Sequence, residues 1–99
     1  MHNNFGMHPA LKLRHIRAFL EIASTGSLSA VARAQGISQP ALSRTLAEAE
    51  TLLGTALFRR ENRRLVLTEH GARFRQLCRW FVIGASRSAT DRHARSGQA

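Results

Sequence analysis

The sequence predicts a mainly α-helical fold with three helices, one small β-hairpin and a further long helix. Apolar residues recur every three or four positions within residues 13–53 and again within residues 74–85. Glycine follows each of the first three helical stretches, and two short extended runs separate the third stretch from the fourth. The 99 residues suffice for one small domain, and the apolar fraction of 43% is ordinary for a globular chain.

The first helix is predicted to start near Lys12 and to end at Ser24-Thr25-Gly26. Apolar residues at helical spacing give it one core face: Leu13, Ile16, Phe19, Leu20 and Ala23. The basic residues Lys12, Arg14 and Arg17 fall on the solvent side, where we expect them to promote solubility, with Arg14 also a candidate for contact with an anionic partner. We therefore interpret this helix as scaffold.

Two capped helices follow in close succession. Ser27 is a good N-cap for the first of them, and Gly36 supplies its left-handed stop. The second begins after Ser38, ends at Gly54 and has Pro40 in its first turn, where a missing N–H group costs little. A short helix, a turn containing glycine and a second helix with a polar tip predict a helix-turn-helix.

The helix after Ser38 has two different faces. An apolar stripe turns toward a core: Leu42, Leu46, Ala49 and Leu53. The outward N-terminal surface is short, polar and basic, and its acids Glu48 and Glu50 are confined to the C-terminal half, away from a polyanion. We expect four residues of this surface to read DNA bases, because Gln pairs with adenine and Arg with guanine: Gln39, Pro40, Ser43 and Arg44.

A β-hairpin with a basic tip is predicted after Gly54. The expected strands are residues 56–59 and 65–67, and residues 60–64 form the expected loop. Four of the six residues 59–64 are arginines, which favours phosphate contact over a merely solvated loop. This hairpin would be the wing of a winged helix-turn-helix. The residues that we expect at the DNA backbone are Ser27, Ser29, Ser38, Arg59, Arg60, Arg63 and Arg64.

The last predicted helix spans residues 69–85, with Thr68 as its N-cap. Its apolar side chains exceed what so small a domain can cover, which implies a partner. We expect dimerisation through four of them: Phe74, Leu77, Cys78 and Phe81. An alternative is a basic amphipathic helix on a membrane surface, through Arg73, Arg75 and Arg79.

Residues 11 to about 85 resemble the N-terminal DNA-binding region of LysR-type transcriptional regulators. The resemblance rests on five blocks in the family's order: residues 13–19 (LRHIRAF), 26–29 (GSLS), 38–44 (SQPALSR), 53–60 (LGTALFRR) and 67–71 (LTEHG). Leu28, Ala49 and Asn62 depart from the family's usual residues without breaking the geometry, since Asn tolerates the left-handed conformation. The resemblance points especially to Arg60 and Arg63 as wing contacts.

The same resemblance implies a dimer in which the last helix pairs antiparallel with its mate. Regulators of this type continue into a larger ligand-binding α/β region, for which nothing here suffices. We therefore expect no small-molecule effector site in this chain. A cytoplasmic, nucleoid-associated bacterial protein is the expected setting.

Composition bounds the function independently. Fifteen Lys and Arg against six Asp and Glu give a net charge of +9, which favours an anionic partner such as nucleic acid. The five histidines are scattered, and the sequence has no phosphate-binding glycine loop, paired carboxylates or nucleophile motif, so we expect no metal, no cofactor and no enzyme activity. Cys78 is the only cysteine, which excludes an internal disulfide, and no apolar run is long enough to span a membrane.

These observations predict four segments: a disordered leader (residues 1–10, with Met7 as a possible start), a winged helix-turn-helix (11–68), a dimerisation helix (69–85) and a disordered basic tail (86–99). The predicted function is that of a sequence-specific, double-stranded DNA-binding transcriptional regulator of LysR type, truncated to its DNA-binding and dimerisation part and acting as a homodimer. The alternative is a protein-interaction fragment that forms heterodimers with full-length regulators and interferes with them.

Overall fold

The computed structural model describes residues 10–81, which form four helices and one two-stranded antiparallel sheet. The elements are α1 (Leu13–Thr25), α2 (Leu28–Gln35), α3 (Gln39–Leu53), β1 (Phe58–Glu61), β2 (Arg64–Leu67) and α4 (residues 69–81). This is the mainly helical winged helix-turn-helix that the sequence predicts. The predicted tail, most of the predicted leader and residues 82–85 of the last predicted helix lie outside the described residues.

Helices α2 and α3 begin and end where their capping residues predict. The Ser27 and Ser38 hydroxyls each accept a hydrogen bond from a backbone N–H three residues on, both at 3.1 Å. Gly36 ends α2 in the left-handed conformation (φ 70°), and the next N–H, of Ile37, donates to the Ala32 carbonyl at 3.0 Å. Because this C-cap closes α2 within two residues, α3 starts at once and the helix-turn-helix has a short, fixed turn.

The core is built around Phe19 of α1, which is fully buried. Its ring centroid lies 5.4 Å from that of Phe58 in β1 and 4.8 Å from that of Phe74 in α4. Both separations fall in the favourable range for aromatic pairs. The remaining buried apolar residues come from all four helices and from the segment before the hairpin: Ile16, Ala18, Ile22, Val31, Ala32, Leu42, Leu46, Ala49, Leu57 and Cys78.

The hairpin differs from the predicted one. Its loop contains only Asn62 and Arg63, both with positive φ (49° and 67°), so that Arg60 and Arg64 belong to the strands. Two positive-φ residues make a turn whose twist matches that of antiparallel strands, and this favours the tighter hairpin. Asn62 was expected to tolerate this conformation. Arg63 was not, because a basic residue carries no such signal.

The start of α4 is fixed to the segment before the hairpin. The Thr68 hydroxyl accepts the Gly71 N–H at 3.0 Å, as its predicted N-cap role requires, and donates to the Ala56 carbonyl at 2.7 Å. The Thr68 N–H donates to the Leu57 carbonyl at 3.0 Å. Helix α4 consequently crosses so close to this carbonyl that a Cβ on Gly71 would lie 2.1 Å from the Leu57 oxygen.

The apolar side chains of α4 divide into two groups, which corrects the single exposed stripe that the sequence suggested. Phe74 and Cys78 are buried against the same chain, and this burial raises the pKa of the Cys78 thiol to about 12. Leu77, Trp80 and Phe81 remain 40%, 75% and 51% exposed. Helical periodicity places all five near one another, but the close contact at Gly71 turns its own stripe, residues 71, 74 and 78, toward α1.

Replacement of Gly71 tests this close contact. At an open helical position Gly→Ala stabilises a protein by up to about 1 kcal/mol. We expect Gly71→Ala to do the opposite and to destabilise the domain by about 1–3 kcal/mol, because the new methyl group overlaps backbone atoms that cannot move aside. Thermal or urea unfolding measures the change. A variant at least as stable as the wild type would show that α4 does not lie this close to Leu57.

Candidate nucleic-acid interface

The four predicted base-reading residues share the exposed N-terminal surface of α3. Gln39, Pro40, Ser43 and Arg44 are all exposed, while the apolar stripe of the same helix is buried or half-buried. The structure thus places together the side chains that the sequence selected. Their contact with bases remains a prediction.

Arg44 is electrostatically available. None of the ion pairs within residues 10–81 includes it. The two carboxylates of α3 are engaged elsewhere: Glu48 accepts from Arg14 and pairs with His15, and Glu50 accepts the Leu57 N–H at 2.7 Å. An arginine with unsatisfied donors at the tip of an exposed helix can bond two acceptors on a guanine edge or a phosphate.

The predicted serine contacts lie at the N-termini of two helices. Ser27 and Ser38 cap α2 and α3, and the Ser29 hydroxyl lies 3.2 Å from that of Ser27. Ser29 and Ser38 are exposed, and Ser27 is half-buried. Helix N-termini and hydroxyl groups are common donors to nucleic-acid phosphates. The geometry is compatible with contact to a DNA backbone at the N-termini of both α2 and α3.

The four wing arginines divide into two pairs. Arg60 and Arg63 are exposed and have no ion pair within the described part of the chain. Arg59 bonds Glu61 at 2.8 Å and the Leu67 carbonyl at 3.1 Å. Arg64 donates to the Thr25 carbonyl at 3.0 Å. Only the first pair therefore presents free guanidinium groups, whereas Arg59 and Arg64 already stabilise the hairpin or its attachment.

The wing is attached directly to the turn before α2. Besides the Arg64 contact, the Leu65 N–H donates to the Gly26 carbonyl at 3.0 Å. A Cβ on Gly26 would lie 3.2 Å from both the Leu65 oxygen and the Arg64 guanidinium group, so the chains approach closely here. This attachment brings the turn end of the wing next to the N-terminus of α2 and its candidate phosphate contacts.

Sequence reasoning missed a polar contact between α1 and α3. His15 is only 3% exposed; its Nδ1 accepts the Lys12 N–H at 2.8 Å, and its Nε2 lies 3.0 Å from Oε1 of Glu48. The hydrogen bond from His15, with a further contribution from Arg14, lowers the pKa of Glu48. The available signal was positional: His15 precedes Phe19 by one helical turn, which places it on the core side of α1.

The part of the chain that the structure describes shows no cluster of three or more potential metal ligands. No helix in it is long and apolar enough to cross a membrane. Its notable surface is instead the polar, basic tip of α3 beside a basic hairpin. That combination of fold and surface defines a winged helix-turn-helix DNA-binding domain.

The family is more specific than this class. Residues 13–72 match the family described as "Bacterial regulatory helix-turn-helix protein, lysR family". The chain belongs to this family, as its sequence blocks predict, and it has the fold of a regulator's DNA-binding domain rather than of an enzyme.

Curated relatives are regulators that match over this region. The HTH-type transcriptional regulator DgcR of Pseudoalteromonas is 44% identical over 62 residues, covering 63% of this chain and 21% of the relative. The regulator YdcI of Escherichia coli K12 is 39% identical over 74 residues, covering 75% of this chain and 24% of that protein. The chain thus spans about a fifth to a quarter of the length of these relatives.

Solved structures of the same family superpose on most of the chain. The DNA-binding domain of BenM in complex with catB site 1 DNA has a TM-score of 0.79 at 28% identity and covers 90% of this chain and 97% of that one. The DNA-binding domain of CbnR in complex with DNA has a TM-score of 0.77 at 29% identity, covering 87% and 99%. Both neighbours are DNA complexes, which supports DNA as the partner of this fold.

Proposed function

We propose that this chain is a sequence-specific reader of double-stranded DNA that regulates transcription. The observation that carries the proposal is the exposed N-terminal surface of α3, where Gln39, Ser43 and an unpaired Arg44 stand together. The major groove admits one helix, and its base edges offer the acceptors and donors that these side chains can bond. A DNA partner implies a location at the bacterial nucleoid.

The wing and the helix N-termini would hold the flanking backbone. Arg60 and Arg63 extend from the hairpin, and Ser27, Ser29 and Ser38 lie at the starts of α2 and α3. Contacts of this kind fix the register of a protein on DNA but carry no direct sequence information. The proposal therefore assigns affinity to the wing and discrimination to α3.

Substitution of Arg44 tests base reading. We expect Arg44→Ala to lose about 1–3 kcal/mol at the preferred duplex and much less on random duplex, because a bidentate contact with a base edge is lost. The preferred duplex is first selected from a random library, and affinities are measured at one salt concentration. Arg17→Ala, at an exposed position of α1, removes the same charge and serves as control. An unchanged ratio of specific to random affinity in Arg44→Ala would disprove the role.

The wing prediction concerns salt dependence rather than sequence preference. We expect Arg63→Asn to weaken binding to all duplexes alike and to reduce the slope of log affinity against log salt by about one per subunit. Asn is chosen because it accepts the left-handed conformation of this position (φ 67°), so the turn is kept. Selective loss at one base position with an unchanged slope would reassign Arg63 to groove reading.

The exposed part of α4 supports the proposal of a dimer. Leu77 and Phe81 are one helical turn apart, and the strongly exposed Trp80 lies beside them. If a second copy covers this surface by two-fold symmetry, the resulting dimer would bind an inverted repeat in DNA. The same surface favours a second candidate function, pairing with a related regulator to form a mixed dimer. Phe74 and Cys78, which were also predicted to join the interface, are already covered by their own chain.

Phe81→Glu is expected to convert the dimer into a monomer with nearly unchanged helix content, since it places a charge in the apolar interface. Sedimentation at tens of micromolar measures the state, and circular dichroism measures the helix content. Ala34→Glu adds the same charge on the exposed surface of α2 and should leave the dimer intact. A wild-type chain that sediments as a monomer under these conditions would contradict the proposed interface.

A further inference from the structure

The imidazole of His15 links the start of α1 to the middle of α3. It is 97% shielded from solvent, and both of its ring nitrogens have a partner: the Lys12 N–H at 2.8 Å and the Glu48 carboxylate at 3.0 Å. Because the Lys12 backbone group can only donate, Nδ1 of His15 must be the acceptor. The ring proton is therefore on Nε2 and is donated to Glu48.

Within the described residues, every side-chain hydrogen bond between α1 and α3 is made to the Glu48 carboxylate. Besides His15, the Arg14 guanidinium group donates to the same carboxylate oxygen at 3.4 Å. Buried apolar side chains from both helices pack in the same core, and apolar packing is non-directional. The buried residues Leu42, Leu46 and Ala49 set which face of α3 turns inward, and the bond from Leu57 N–H to Glu50 holds its C-terminal half. The hydrogen bonds at Glu48 add direction on the side that faces α1, one turn from Arg44.

Glu48 follows Arg44 by four residues, so the two side chains lie on the same side of α3. Both line one open groove, together with Lys12, Arg14 and His15. A small rotation of α3 at Glu48 would shift Arg44 and Ser43 relative to the base edges of bound DNA. Base readout by hydrogen bonds tolerates little displacement, since the productive geometry is narrow.

We propose that His15 and Glu48 are positioning residues for base readout: the hydrogen bond from the buried imidazole to Glu48 helps to orient α3 on the side that faces α1 and thereby aims Arg44 at the base edges. The inference rests on the proposed function. It concerns a second property of Glu48 as well, because its carboxylate places a negative charge one turn from Arg44 on a surface that meets a polyanion.

Two substitutions at Glu48 separate position from charge. Glu48→Gln removes the charge but keeps an oxygen that can accept the Nε2–H of His15, whereas Glu48→Ala removes both. Glu48 is 46% exposed at its side chain, so neither variant is expected to disturb the core. Circular dichroism and thermal unfolding establish that both are folded.

The measured quantity is the ratio of affinity for the selected duplex to affinity for random duplex, for wild type and both variants at one salt concentration. We expect both variants to bind random duplex more tightly than wild type, since each loses one negative charge. We expect Glu48→Gln to keep the wild-type ratio within about twofold. Glu48→Ala should lower the ratio about fivefold or more, because it removes the acceptor of the hydrogen bond from His15. A ratio in Glu48→Ala within twofold of that in Glu48→Gln overturns the proposal.

A measurement on the free protein tests the hydrogen-bonded ring itself. Nitrogen-15 NMR of the imidazole should show His15 protonated at Nε2 and unprotonated at Nδ1 at neutral pH. A proton on Nδ1 would overturn the proposal, whatever the DNA result. If instead the wild-type chain bound selected and random duplexes equally, the proposed function would fail and the positioning role with it. Retention of the ratio in Glu48→Ala, with a selective wild type, would refute the positioning role alone.

Discussion

The packing of Phe19 against Phe58 and Phe74 is the contact on which the other elements depend. Phe19 is fully buried in α1, and its two aromatic neighbours come from the start of the wing and from α4. A domain with so few buried residues has little apolar area to spare, so one three-ring cluster that joins three elements contributes a large share of its cohesion. The helix-turn-helix and the wing keep a common orientation because both pack on this cluster.

Polar contacts then add direction to that packing. The wing is attached at Gly26 and Thr25, the segment before it at Glu50, and the start of α4 at Ala56 and Leu57 through Thr68. Most of these contacts end on backbone groups that would otherwise lie unpaired where elements meet. These contacts involve some of the acidic residues and arginines but not others. Glu48, Glu50, Arg59 and Arg64 are bonded within the chain, whereas Arg44, Arg60 and Arg63 have no ion pair among residues 10–81.

The features that local sequence predicts best are those decided by local physics. Ser27, Ser38 and Thr68 cap their helices as predicted, because an N-cap needs only a side-chain oxygen and the three residues that follow. The exposed and buried faces of α3 follow from a period of 3.6 residues. The candidate reading surface at Gln39 and Arg44 could therefore be located without a structure, and the family follows from the order of its sequence blocks.

By itself, then, the sequence determined the helices, their caps, the exposed polar face of α3, the basic wing and the family of this protein. Only the tertiary structure decided which of the similar candidate side chains are buried or hydrogen-bonded within the chain and which stay exposed. Phe74 and Cys78 look like Leu77 and Phe81 in the pattern, and Arg64 looks like Arg63. They differ because α4 approaches Leu57 closely and β2 approaches Thr25 closely, and no local period encodes these tertiary contacts. The contact between the buried His15 and the exposed Glu48 has the same origin: its partners are 33 residues apart and meet only when α1 and α3 pack.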